Sequence, residues 1–147
     1  MADSTNFNLS DVSKPGYLGS AKVVSKLVGD FVHDDILGAA HHSTVMPACV
    51  RMSNIFSGKV EGYTPVRGWE KDITSILYRR FKIDPSQTPE DMLTTFFADL
   101  AEAIFTLVNT EEGPELDRRI TMTTNAYAQA LLGINGDFAW ATGHDAH

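Results

Sequence analysis

The sequence predicts an all-α protein, a single-domain bundle of four or five helices with irregular N- and C-terminal arms. The 147 residues are 43% hydrophobic and 21% charged, a balance typical of one globular domain with a substantial core. Apolar residues recur at helical spacing through much of the chain between residues 20 and 133. Clusters of glycine and proline interrupt that spacing and mark the predicted turns between helices.

The stretch from Thr88 to Thr110 is predicted to be the central helix. Thr88 is a suitable N-cap, Pro89 suits the first helical position, and acidic residues follow at the positive end of the helix dipole. Its apolar positions are Leu93, Phe97, Leu100, Ile104, Leu107 and Val108, widened by Met92, Phe96, Ala101 and Phe105. We expect a helix this apolar to be mostly surrounded by protein. Asp99 and Glu102 near its middle argue against a membrane span.

Two helices are predicted in the first half of the chain. The first is capped by Ser20 and runs through AKVVSKLVGDFVHDDILGAA, although two glycines weaken it and the Val-Val pair leaves a strand as an alternative. The second is capped by Ser43 or Thr44, has Pro47 in its first turn and ends at Gly58.

Two more helices are predicted beside the central one. Residues 58–68 contain three glycines and a proline and form a loop or a short hairpin, after which a helix runs from Trp69 to Phe81. The last helix starts at Pro114 and ends at Gly133, and the short connection makes it an antiparallel neighbour of the central helix. Its predicted inner face consists of Leu116, Ile120, Thr123, Tyr127 and Leu131.

The chain is expected to divide into an irregular N-terminal arm (1–19), a helical domain (20–133) and a C-terminal tail (134–147). The polar beginning of the sequence lacks the apolar run of a secretory signal. The single cysteine, Cys49, excludes an internal disulfide framework and is expected to be a small buried residue. We therefore expect a cytoplasmic protein that is not inserted in a membrane.

Charge is divided unevenly along the chain, whose net charge is −7. Residues 51–82 carry seven basic and three acidic residues, whereas residues 83–117 carry nine acidic residues and no basic one. Opposed charges in one chain are expected either to pair within a molecule or to bring one copy onto the next. The interaction residues predicted on this basis, together with one aromatic residue of the tail, are Arg67, Lys71, Arg79, Arg80, Glu111, Glu112 and Trp140.

The stretch from His33 to His42 is rich in histidine and aspartate, which are common ligands of zinc and iron. This composition raises the alternative of a metal-dependent hydrolase. On a continuous helix, however, Asp34 and His41 would lie about 10 Å apart along the axis, too far to share one ion. The sequence contains no nucleotide-binding or catalytic motif, so we expect no cofactor and assign no catalytic residue.

Basic residues alternate with aromatic residues between Arg51 and Lys82, as in proteins that stack on single-stranded nucleic acid. The aromatic residues concerned are Phe56, Tyr63, Trp69, Tyr78 and Phe81. Two facts disfavour this alternative: the chain is acidic overall, and several of these rings fit a helical core. The sequence therefore favours a non-enzymatic protein-interaction or structural subunit of a larger assembly, which associates with a protein partner or with itself.

Overall fold

The computed structural model describes residues 15–39 and 41–134, with the side chains of His42 and Ile134 left aside. This part of the chain forms five α-helices and no β-strand, which confirms the prediction of an all-α, single-domain bundle. The helices are α1 (Ala21–Asp30), α2 (Met46–Phe56), α3 (Trp69–Phe81), α4 (Pro89–Thr110) and α5 (Gly113–Ile134). Most of the two predicted arms, including Trp140, lies outside the described residues.

Helix α4 is the centre of the bundle and contacts α2, α3 and α5. Its N-terminus forms as predicted, because Oγ1 of Thr88 accepts a hydrogen bond from the backbone N–H of Asp91 at 3.1 Å. The predicted core residues from Leu93 to Ile104 are buried. Val108, which helical spacing places near them, is 44% exposed because the last turns of α4 have only partial cover. No helix within the described ranges is long and apolar enough to cross a membrane.

Aromatic contacts show how α2 and α3 are arranged around α4. Phe97 packs on Phe56 of α2, with ring centroids 5.8 Å apart. Phe96 instead packs on Phe81 of α3, edge to face at 5.1 Å, and on Tyr127 of α5. Because consecutive side chains of an α-helix point about 100° apart, α2 and α3 lie on different sides of α4.

The first predicted helix is confirmed as far as Ile36, but its second half is not an α-helix. Ser20 caps it as expected, and the strand alternative fails, but the α-helix ends at Asp30. Residues Phe31–Ile36 form a π-helical segment, continued by a bond from the Leu37 N–H to the Val32 carbonyl at 2.9 Å. Phe31, Val32 and Ile36 are all buried. The wider π-helical turn allows these three side chains to face the core together, an arrangement that α-helical spacing does not predict.

The predicted cap of α2 is also wrong. Its N-cap is Val45, which makes no side-chain capping bond. Ser43 and Thr44 belong to a preceding 3₁₀ turn, in which the Thr44 hydroxyl donates to the His41 carbonyl at 2.6 Å. Pro47 lies in the first turn as predicted.

Residues 58–68 form a loop that is tied to the segment before α1. Leu18 N–H donates to the Thr64 carbonyl at 2.9 Å, and Thr64 N–H donates to the Gly16 carbonyl at 3.0 Å. These bonds accompany an isolated parallel bridge between Tyr17 and Thr64, here called the 17–64 bridge. A Cβ on Gly16 would lie 2.0 Å from the Gly62 carbonyl oxygen, so only glycine allows this approach.

Candidate functional site

Helix α3 exposes a basic surface on the side away from its buried residues Ile73 and Leu77. Helical spacing places Lys71, Tyr78 and Arg79 on one exposed side of α3, together with the acidic Asp72. Lys82 follows the helix as its C-cap, in a left-handed conformation. The surface formed by Lys71, Tyr78, Arg79 and Lys82 is here called the α3 face. The Tyr78 side chain is 50% exposed, and the Lys82 ammonium lies 6.0 Å from its ring centroid.

The predicted basic residues Arg67, Lys71 and Arg79 are exposed and form no ion pair with another described residue. Arg80 is exposed as well but has a contact within the molecule. Arg79 and Arg80 occupy the last turn of α3, where positive charge stabilises the helix dipole. The helix dipole therefore explains why two arginines occupy the last turn of α3. It does not explain why the α3 face as a whole is basic.

Two arginines directly after the acidic segment, residues 83–117, neutralise part of its negative charge. The next two residues are arginines that turn back onto it: Arg118 and Arg119 both contact the Glu115 carboxylate, at 2.7 and 2.6 Å. Arg119 also lies 3.9 Å from Glu111. Hydrogen bonds from Arg118 and Arg119 lower the pKa of Glu115 below its ordinary value. The connection from α4 to α5 therefore carries its own counter-charges.

The structure places Arg79 and Arg80 at the opposite end of α4 from Glu111 and Glu112. The segment from Lys82 to Thr88 joins the end of α3 to the start of α4, whereas Glu111 and Glu112 follow the far end of α4, about 33 Å away along a 22-residue helix. One ion pair of 3.8 Å, between Lys59 and Glu90, joins the basic and acidic segments within the molecule.

A third surface, which sequence reasoning missed, is an open groove between α2 and α4. Its volume is about 360 Å³, and its lining consists of Ser43, Val45, Met46, Cys49, Ala98, Ala101, Glu102 and Phe105. The small side chains of Ala98 and Ala101 leave the space that forms this α2–α4 groove. Met46 and Val50 on α2 are 47% and 45% exposed, so apolar surface continues along the rim.

One signal in the sequence corresponds to the groove. Ala98, Ala101, Phe105 and Val108 repeat with spacings of three and four residues, as in the seam of a coiled coil. Ala101 and Phe105 also belong to the widened core face predicted for α4. The spacing alone does not distinguish this row of residues from the core, because the distinction depends on how much of the row α2 covers.

Cys49 forms part of the floor of the groove and is fully buried, as predicted. Burial raises the pKa of its thiol to about 11, and the nearby Asp35 carboxylate acts in the same direction. At neutral pH the sulfur is therefore a thiol, and the nucleophilic thiolate is scarce.

The stretch His33–His42 bends after the π-helical segment, and one of its two aspartates already has a partner elsewhere in the fold. Asp35 forms an ion pair with Arg51 of α2. Nδ1 of His41 lies 3.1 Å from the Ser43 hydroxyl. Among the described residues, no three His, Cys, Asp or Glu side chains are grouped so that they would hold a metal ion.

The aromatic residues of the basic segment are mostly part of the core. Phe56 and Trp69 are buried, Phe81 packs against Phe96 and Tyr127, and Tyr63 is half-buried. Tyr78 is the one aromatic ring of this segment that is largely open to solvent. A stacking platform for successive bases requires several such rings.

Comparison of the chain with protein-family models, with characterised proteins and with solved structures gave no match.

Proposed function

We propose that the protein is a non-enzymatic structural subunit that associates with further copies of itself in a larger assembly. The observation that carries this proposal is the placement of two complementary surfaces on different sides of α4. The α3 face is basic, whereas α4 contains no lysine or arginine and borders an apolar groove. Complementary surfaces that lie on different sides of one molecule are suited to contact between two molecules, in a heterologous arrangement.

The test is sedimentation velocity of the full chain across a range of salt concentrations. We expect association that weakens with salt, because the screening length falls from about 30 Å at 0.01 M to about 3 Å at 1 M. Replacing Arg79 and Arg80 by Glu should weaken association further at low salt. A protein that remains monomeric at every salt and protein concentration would overturn the proposal.

Nucleic-acid binding is the second candidate, and the exposed Tyr78 ring beside Arg79 and Lys82 favours it. It predicts that a single-stranded oligonucleotide binds with a salt-dependent affinity that falls in a Tyr78→Ala variant. Under the self-association proposal, the same variant loses association between copies and no oligonucleotide binds at physiological salt.

A further inference from the structure

The π-helical segment Phe31–Ile36 occurs where a regular continuation of α1 would bury a charged residue. Val24, Val28 and Phe31 are fully buried and follow one another at spacings of four and three residues, which is the spacing of one face of an α-helix. The next position on that face, four residues after Phe31, is Asp35. An α-helical continuation would therefore place a carboxylate among buried apolar side chains, where its charge loses solvation.

The observed turn brings a different residue to this position. The Leu37 N–H donates to the carbonyl of Val32, whereas in an α-helix it would donate to the carbonyl of His33. The turn therefore contains one extra residue, and Ile36 is buried in the place that α-helical spacing gives to Asp35.

The aspartate that is moved out of the buried face has a partner at the edge of the core. Asp35 is partly exposed there, and its carboxylate accepts a hydrogen bond from the guanidinium of Arg51 on α2. The π-helical segment itself packs against α2 and α4. The charged group thus remains in contact with solvent and with an opposite charge while the segment contributes to the core.

Two registers of this segment would bury nearly the same residues. They differ in whether residue 35 or residue 36 faces the core, and only residue 36 is apolar. π-Helical turns are rare and arise mostly as single-turn insertions into α-helices, so the local backbone by itself favours the α register. The order of one charged and one apolar residue reverses that preference here.

We infer that Phe31–Ile36 is a two-register element in which the charge of Asp35 selects the π register over the α register. A change of register would rotate Leu37 and the chain that follows it, which leads into α2. The segment is therefore a conformational device at the junction of α1 and α2, and the inference does not depend on the proposed self-association.

The test exchanges the two residues in the full chain, Asp35→Ile with Ile36→Asp, which preserves composition and charge. The exchanged chain has an apolar residue at the buried position of the α register and a carboxylate at the buried position of the π register. NMR scalar couplings across hydrogen bonds identify the carbonyl that accepts from the Leu37 N–H. We expect coupling to Val32 in the wild type and to His33 in the exchanged variant.

A second variant removes the charge alone. Asp35→Leu leaves apolar residues at both positions, so both registers should be populated. The Leu37 amide should then show two sets of signals, or coupling to both carbonyls. The matched control is Asp34→Leu, a change at the exposed neighbouring aspartate, which should keep the coupling to Val32 alone.

Three results would overturn the inference. In the exchanged variant, coupling that stays with Val32 would show that other packing fixes the register. Loss of both couplings in an otherwise folded exchanged variant would show that no second register exists. Coupling to Val32 alone in Asp35→Leu would show that the charge does not select the register, and this variant decides the question if the exchanged chain does not fold in a thermal unfolding experiment.

Discussion

At the scale of single residues, burial disfavours the ionised form of three side chains. Cys49 lies fully buried beneath the α2–α4 groove, and its thiol has a pKa of about 11. Asp99 is half-buried on α4, where burial and then the charge of Glu102 raise the pKa of its carboxyl. Burial raises the pKa of Tyr127 as well, with a contribution from Asp99. Each shift arises because the ionised form loses solvation that the neutral form does not need.

The raised pKa of Cys49 predicts a loss of stability in alkaline solution. An unfolded thiol ionises near its ordinary value of 9.0, whereas the folded thiol holds its proton to about 11. Below pH 9 this contribution to stability is complete, and between pH 9 and pH 11 it is lost as the unfolded state releases its proton first. Urea unfolding across this range should show a steeper decline for the wild type than for Cys49→Ala. Parallel curves would contradict the shift.

Asp99 predicts a stabilising substitution. Because the folded carboxyl has a pKa above its ordinary value of 3.8, its charged form costs free energy at neutral pH. Asp99→Asn should therefore raise the melting temperature at pH 7, and the gain should shrink as the pH falls below the folded pKa. The same change at the exposed Asp34 is the control and should leave the melting temperature nearly unchanged.

At the scale of elements, the helices bounded by clear capping, glycine or proline residues were predictable, and the π-helical segment was not. Glycine before Trp69 and the proline-containing turn after Phe81 set the bounds of α3, and Thr88 with Pro89 sets the start of α4. The π-helical segment depends on the simultaneous burial of Phe31, Val32 and Ile36 against other helices. This burial results from tertiary packing, which the spacing of apolar residues along the sequence does not reveal.

The groove escaped prediction for a related reason. Ala101 and Phe105 are apolar residues on an apolar helix, so periodicity alone assigns them to the core. Their position beside a groove depends on where α2 ends its cover of α4, which is a property of two helices together.

The central position of α4 predicts a large effect for truncation of its core. Leu100 is fully buried, so Leu100→Ala should lower the free energy of unfolding by about 2–5 kcal/mol. Met122 on α5 is 58% exposed, and Met122→Ala should change it by about 0.5 kcal/mol or less. Urea unfolding of the two variants measures both. A similar small loss for both would mean that α4 does not face a packed core.

At the scale of the whole molecule, charge is arranged by surface more than by segment. Arg118 and Arg119 form ion pairs with the acidic α4–α5 connection, so part of the acidic segment is neutralised within the molecule. Counting charges along the sequence ends the acidic segment at residue 117, directly before these two arginines. The remaining prediction of Trp140 as an interaction residue lies outside the described part of the chain.

The proposed heterologous association predicts how mass depends on concentration. Because donor and acceptor surfaces differ, each added copy leaves one of each unoccupied until a ring closes. We therefore expect sedimentation to show either a continuous rise in mass with protein concentration or one closed species larger than a dimer. An assembly that stops at two copies over a wide concentration range would contradict a repeating contact.

The metal-hydrolase alternative makes a separate prediction. That alternative requires the metal content to fall when His41 and His42 are replaced together by Gln. We expect instead that this double variant keeps the metal content and nearly the melting temperature of the wild type. Elemental analysis of protein purified without chelators measures the metal content. One equivalent of zinc or iron in the wild type and none in the variant would reverse the ranking of the two functions.

The 17–64 bridge has a consequence for the order in which the chain folds. It joins residues 47 positions apart, and closing a chain segment of that length costs about 3 kcal/mol of entropy, which contacts between sequence neighbours do not incur. The antiparallel pair α4 and α5 closes over a far shorter connection and is expected to form earlier. Hydrogen exchange should then release the amides of Leu18 and Thr64 well before those in the middle of α4. The first helix would thus come loose from its anchor while the centre of the bundle still holds.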